Sequence, residues 1–230
     1  DIDKGIIEHS RRILQLNGTL TPEQRKPLAR TLIAAYSNLA EALSGQEQPP
    51  EAIAMLRRAP TDLAGLDDAE ARLKPTLDRY LLVGEPAAPI TAPRWLNAAP
   101  PNGRVDMAGA VTWLQFTAHW CGPCRESYPG IVRLQQRFGA RGFRVVMATQ
   151  LYGYFEKERN LPPERELALI GTYFPKHGIT FPVAVADRPP EGSRERPQNE
   201  ASYRVGGIPQ IHVIDRKGVI RLIMVGYDEA

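Results

Sequence analysis

Apolar residues recur at helical spacing in the first third of the chain and in short runs after it. Ile2, Ile6, Ile13 and Leu16 fall at intervals of four, seven and three, one face of a helix. Asp1 and Asp3 at its start and Arg11-Arg12 towards its end suit the helix dipole, and Asn17-Gly18 ends it. His9 lies on this stripe. With no second ligand-type residue nearby it reads as a half-buried histidine rather than a metal ligand. Thr21-Pro22-Glu23-Gln24 is a helix start: Thr21 can cap, Pro22 suits the first position and Gln24 completes a capping box. Leu28, Leu32, Tyr36, Leu39 and Leu43 mark the buried face and Gly45 the stop. A shorter helix is expected from Pro49-Pro50 through Met55. Another runs from about Leu66 to Leu82, with Leu73, Leu77 and Tyr80 inward and a candidate kink at Pro75. Short connections make these four helices antiparallel neighbours. No repeat signature is present.

The pattern changes at Val83-Gly84-Glu85-Pro86-Ala87-Ala88-Pro89, which breaks both periodicities. The boundary falls here: residues 1–82 form a helical domain and 83–230 a second one. Trp95-Leu96 and Val105 to Met107 read as a hairpin turning at Asn102-Gly103. Val111 to Phe116 is an apolar run suited to a strand buried on both faces. A helix follows with Tyr128, Ile131, Leu134 and Phe138 on one face, a kink expected at Pro129, and Gly139 and Gly142 closing it. Phe143 to Ala148 is the next strand, so strand, helix and strand make a βαβ unit with parallel strands. Tyr152 to Pro163 reads as a polar loop. A helix from Pro162-Pro163-Glu164 carries Leu167, Ile170 and Phe174 and ends at Pro175 and Gly178. Phe181 to Ala186 is a short strand and residues 187–200 an exposed loop. Ile211 to Ile214 and Val219 to Val225 form a final hairpin about Asp215-Arg216-Lys217-Gly218.

Both cysteines of the sequence, Cys121 and Cys124, lie between the first strand and helix of this βαβ unit, in Trp120-Cys121-Gly122-Pro123-Cys124. A helix N-terminus stabilises a thiolate through its unpaired N–H groups and its dipole. Cys121 can then attack a disulfide, and Cys124, one turn on, can attack the Cys121 sulfur and release a reduced product. Pro123 stiffens the turn. Other uses of the spacing fit less well. A zinc site needs four ligands, and there is no second cysteine pair. Haem attachment needs histidine after the second cysteine, where Arg125 stands. A peroxidatic cysteine wants a hydroxyl where Ala118 stands. An inert structural disulfide stays open.

Composition narrows the setting. The 230 residues carry a net charge of +3 with basic residues scattered, so no basic stripe with interleaved aromatics points to nucleic acid. No apolar run approaches the roughly 18 residues of a membrane span. The chain opens on Asp1, not Met, which reads as a processed or excised piece from which a signal or anchor could have been removed.

Trp-Cys-Gly-Pro-Cys after a buried strand resembles the thioredoxin active site, and Gly207-Ile208-Pro209 before a strand resembles its cis-proline loop. Residues 83–90, 178–183 (Gly-Ile-Thr-Phe-Pro-Val) and 213–218 (Val-Ile-Asp-Arg-Lys-Gly) are similar to the TlpA/ResA-type extracytoplasmic thiol-disulfide oxidoreductases of bacteria. The resemblance covers roughly residues 83–226. It implies an α/β thioredoxin-like fold, a central mixed sheet flanked by helices, with an inserted helix and strand, behind a small all-helical segment. It implies a protein dithiol-disulfide oxidoreductase with Cys121 as nucleophile, Cys124 as resolving thiol, and Trp120, Gly122, Pro123, Gly207, Ile208 and Pro209 facing the substrate. The redox group is the cysteine pair, without cofactor or metal. Implied partners are protein disulfides and an upstream thiol donor at a membrane, and the implied location is periplasmic or membrane-anchored.

Three positions depart from the pattern. Gln115 stands where thioredoxins carry a buried acid, so Cys124 must lose its proton to water or another base. Ser127 stands where many TlpA-type proteins carry an acid, with a solvated Glu126 before it. The sequence stops at Ala230, soon after the last strand, where the family usually adds a final helix: either that helix lies beyond this piece, or another element covers that face, with residues 1–82 as the candidate. His119 reads as an exposed rim residue, with a charge that would lower the Cys121 pKa as its minor reading. The competing reading is a redox-regulated scaffold whose helical domain docks a partner.

Overall fold

The computed structural model describes residues 12, 21–44, 49–64, 66, 68–193 and 195–227. The first predicted helix, with His9, lies outside them. The chain divides into two units, Asp1–Val83 and Gly84–Ala230.

The first unit contains α1 (Pro22–Ser44), α2 (Pro49–Leu63) and α3 (Ala69–Tyr80). One half of the predicted capping box forms: the Thr21 N–H donates to Gln24 Oε1 at 3.0 Å. Leu32, Tyr36 and Leu39 are buried at the expected spacing, as are Leu73, Leu77 and Tyr80. The short helix predicted to stop at Met55 instead runs through Pro60 to Leu63. Burial of Leu56, Ala59 and Leu63 on one face outweighs the intrinsic cost of an internal proline. The Tyr36 hydroxyl donates to Asp62 and ties α1 to α2.

The second unit is an α/β domain built on a mixed sheet flanked by helices. Its strands are β1 (Ile90–Thr91), β2 (Arg94–Leu96), β3 (Arg104–Val105), β4 (Val111–Phe116), β5 (Phe143–Gln150), β6 (Tyr154–Phe155), β7 (Glu158–Arg159), β8 (Val183–Ala186), β9 (Gln210–Ile214) and β10 (Ile220–Val225). Its helices are α4 (Gly122–Phe138), α5 (Pro163–Lys176) and the short α6 (Gln198–Ser202). The central sheet runs β10-β9-β4-β5-β8-β2. β4, β5 and β8 are parallel neighbours, and β9 pairs antiparallel with both β4 and β10. Alternation along β4 sends Trp113 and Gln115 to the α4 side and Leu114 and Phe116 to the other. On the α4 side Tyr128 and Ile131 of α4 meet Ile170 and Phe174 of α5 over Val145 and Met147. α4 continues through Pro129 as one element.

Two expectations are corrected. Trp95 and Val105 do not share a hairpin. β2 pairs antiparallel with β8, Trp95 opposite Ala184, and β3 pairs with β1, Ile90 opposite Val105. β8 would otherwise be an edge with unpaired backbone groups, which β2 satisfies. The predicted polar loop after β5 contains the small antiparallel pair β6–β7, and its aromatic residues turn inward.

Candidate active site

The end of β4 delivers the chain through Thr117 and Ala118, both buried, to the first turn of α4. Cys121 is the N-cap with extended backbone (φ −81°, ψ 106°), and Gly122 and Pro123 open the helix. The Cys124 N–H points at Cys121 Sγ across 3.2 Å. That donor is one of the unpaired N–H groups of a helix start, and it faces the sulfur on which negative charge would sit after reduction. The two cysteines form a disulfide, with Cα atoms 5.2 Å apart. Cys121 is 4% exposed and Cys124 fully enclosed.

The surroundings are uneven. Trp120 is 49% exposed, while Pro123 is exposed beyond it. Ile208, four residues before the end of the buried stretch Pro209–His212, packs against the same apolar cluster that holds Cys121 and Cys124. The Ile208–Pro209 peptide bond is cis. Gly207 is half-buried beside Val225. The fold therefore brings Ile208 and the cysteine pair into one apolar cluster from distant parts of the chain.

Gln115 lies behind Cys124 in a neutral network. Its Nε2 donates to Ser127 Oγ at 3.0 Å, and its Oε1 accepts the Trp113 Nε1–H at 3.2 Å. Ser127 Oγ donates to the Cys124 carbonyl at 2.7 Å. A cavity of about 380 Å³, lined by Trp113, Ser127, Arg137 and Tyr227 among others, opens onto this network.

His119 is not the exposed rim residue expected. It is 7% exposed and enclosed by aromatic rings: stacked on Phe155 with centroids 5.0 Å apart, and edge-on to Tyr154 at 5.4 Å and Tyr152 at 5.8 Å. Burial pulls its pKa down to about 4, against a weaker upward pull from a hydrogen bond to the Tyr154 backbone. It is neutral at ordinary pH and supplies no cation to Cys121.

Two further residues shape the site without any local sequence signal. Glu166, 1% exposed, accepts the Tyr152 N–H at Oε1 and the Gly153 N–H at Oε2, each at 2.7 Å. Gln210, fully buried, accepts the Gly206 N–H at 3.0 Å, and its Nε2 lies 3.0 Å from the Tyr203 carbonyl and 2.9 Å from His212 Nε2. The signal that was visible, Tyr152-Gly153-Tyr154-Phe155, is an aromatic density out of place in a solvated loop. Among the described residues no group of three or more His, Cys, Asp or Glu side chains is placed to hold a metal. No helix among them is long and apolar enough to cross a membrane.

No family model matches the chain. The thioredoxin-like protein YneN of Bacillus subtilis (strain 168) is 28% identical over 121 residues, which are 53% of this chain and 59% of that protein. The thiol-disulfide oxidoreductase ResA of Geobacillus kaustophilus (strain HTA426) is 25% identical over 121 residues, 53% of this chain and 58% of that one. The matches thus span less than two thirds of the length of these curated relatives. A solved thiol-disulfide isomerase from Corynebacterium glutamicum is similar over 63% of this chain and 88% of its own, at 23% identity and a TM-score of 0.49.

Proposed function

We propose that this chain, which is similar to YneN and ResA over 121 residues, exchanges or reduces disulfides in protein substrates through Cys121 and Cys124. The observation that carries this reading is the placement of Cys121 at the N-cap of α4 with the Cys124 N–H aimed at its sulfur. In the reduced protein the Cys121 thiolate attacks one sulfur of a substrate disulfide. A mixed disulfide forms and one substrate thiolate leaves. Cys124 gives its proton to water, because Gln115 has no carboxylate to receive it. Its thiolate then attacks Cys121 Sγ, the Cys121–Cys124 bond closes, and the second substrate thiol departs after taking a proton. Two electrons pass from the dithiol to the substrate, and no bound cofactor is needed. Trp120, Gly122, Pro123, Gly207, Ile208 and Pro209 form the substrate-facing rim in this reading. A thiol donor at a membrane restores the dithiol, and the setting is extracytoplasmic in a bacterium, a placement supported by the sequence resemblance.

The test is steady-state reduction of a protein disulfide such as insulin with a supplied dithiol. Cys121→Ser is expected to fall to the rate of the dithiol alone. Activity undiminished in that variant overturns the assignment.

A further inference from the structure

Residues 151–155 pack against His119, Trp120 and the apolar cluster that contains Cys121, and one buried carboxylate holds them there. Glu166 stands in the first turn of α5 and has both oxygens committed to the N–H groups of Tyr152 and Gly153. A carboxylate is an acceptor only, which suits a loop that presents two donors side by side. Gly153 has φ 77°, a left-handed conformation that favours glycine at this point of the loop.

The loop so held presents rings in two directions. Inward, Tyr154 and Phe155 enclose His119. Outward, Tyr152 meets Trp120 edge-on with centroids 5.5 Å apart and planes at 80°. Trp120 is the one exposed large apolar side chain among the described residues, and it adjoins Cys121, the attacking sulfur of the proposed exchange. Tyr152 and Trp120 together make an apolar wall beside Cys121.

We propose that Glu166 is a positioning residue that holds Tyr152 against Trp120, and that the resulting wall selects polypeptide disulfides with an apolar side chain next to the reacting cysteine. This rests on the oxidoreductase reading above. Without the carboxylate two N–H groups lose their partners in a buried setting, the loop turns towards water, and Trp120 loses its support.

The experiment uses two peptide disulfides that differ only in Leu or Gly beside the reacting cysteine, with hydroxyethyl disulfide as a third substrate. The wild-type protein is expected to favour the Leu peptide in kcat/KM by about fivefold, the range of one aromatic contact. Glu166→Gln keeps one acceptor and sets an NH₂ against the other N–H, and the preference is expected to fall to within about twofold of unity. Tyr152→Ala is expected to lose the preference in the same way, and it decides the matter if Glu166→Gln fails to fold. A general loss of structure would lower both peptides together and leave their ratio unchanged. A wild-type protein that turns over both peptides equally, or variants that keep the full preference, overturn the inference alone. A wild-type protein inert towards all three disulfides overturns the oxidoreductase reading and the inference with it.

Discussion

The loop around residues 203–210 and the loop at 151–155 both pack against the apolar cluster that holds the cysteine pair, and each is tied down by one buried polar side chain of a different kind. The first loop presents an N–H at Gly206, a carbonyl at Tyr203 and, beside it, a ring nitrogen of His212. It is held by Gln210, whose amide offers both an acceptor and two donors. The second presents two adjacent N–H groups and is held by Glu166, which offers acceptors alone. The residue type follows from the inventory of unpaired groups that each loop brings into the interior. Neither loop has a ladder or a helix to satisfy those groups, so the clamp does what secondary structure does elsewhere.

Exchanging the two types is the sharpest way to break this match. Gln210→Glu sets a buried carboxylate against the Tyr203 carbonyl and is expected to cost about 3 kcal/mol of unfolding free energy, read as a shift in urea midpoint. A midpoint unchanged from wild type would mean that the amide does not hold the loop. Glu166→Gln replaces one charge-assisted bond by a donor facing a donor, and about 1.5 kcal/mol is expected in the same measurement. The order of the two losses is itself part of the prediction, because only the first swap adds a buried charge.

The smallest effect concerns what lies beneath the 151–155 loop. His119 titrates lower in the folded protein, near pH 4, than the ordinary histidine value of 6.5. As pH falls the unfolded chain therefore takes up this proton first. Stability associated with neutral His119 is present above pH 6.5 and is lost as pH falls from 6.5 to about 4. His119→Phe should flatten that part of a urea-midpoint against pH curve and leave the region above pH 7 parallel to wild type. An acid limb of the same depth in the variant would show that the ring is not the group responsible.

How much of this was legible in the sequence depends on distance along the chain. The helix start at Cys121 is written in adjacent residues: an apolar strand, Gly122-Pro123, then Tyr128 and Ile131 at helical spacing. The parallel pairing of β4 with β5 follows from the helix between them. Glu166 carries no such signal. In the first turn of a helix an acid has an ordinary explanation in the dipole, and its partners lie 13 and 14 residues earlier in a segment that reads as solvated. His119 was misplaced for the same reason, since only the fold sets Tyr154 and Phe155 over it. The hairpin at Asn102-Gly103 failed in the opposite sense. The turn is real, with φ of 57° and 62°, but the strands it joins find other partners, β2 in the central sheet and β3 in a separate two-stranded sheet with β1.

The two loops matter only if Cys121 is the sulfur that meets the substrate. The direct measurement is mass spectrometry of Cys124→Ser after exposure, in its reduced form, to a peptide disulfide. The account predicts one stable peptide adduct per chain, located at Cys121 and removed by dithiothreitol. Exposure that yields no adduct at Cys121, under conditions where the wild-type protein reduces the same peptide, would contradict it.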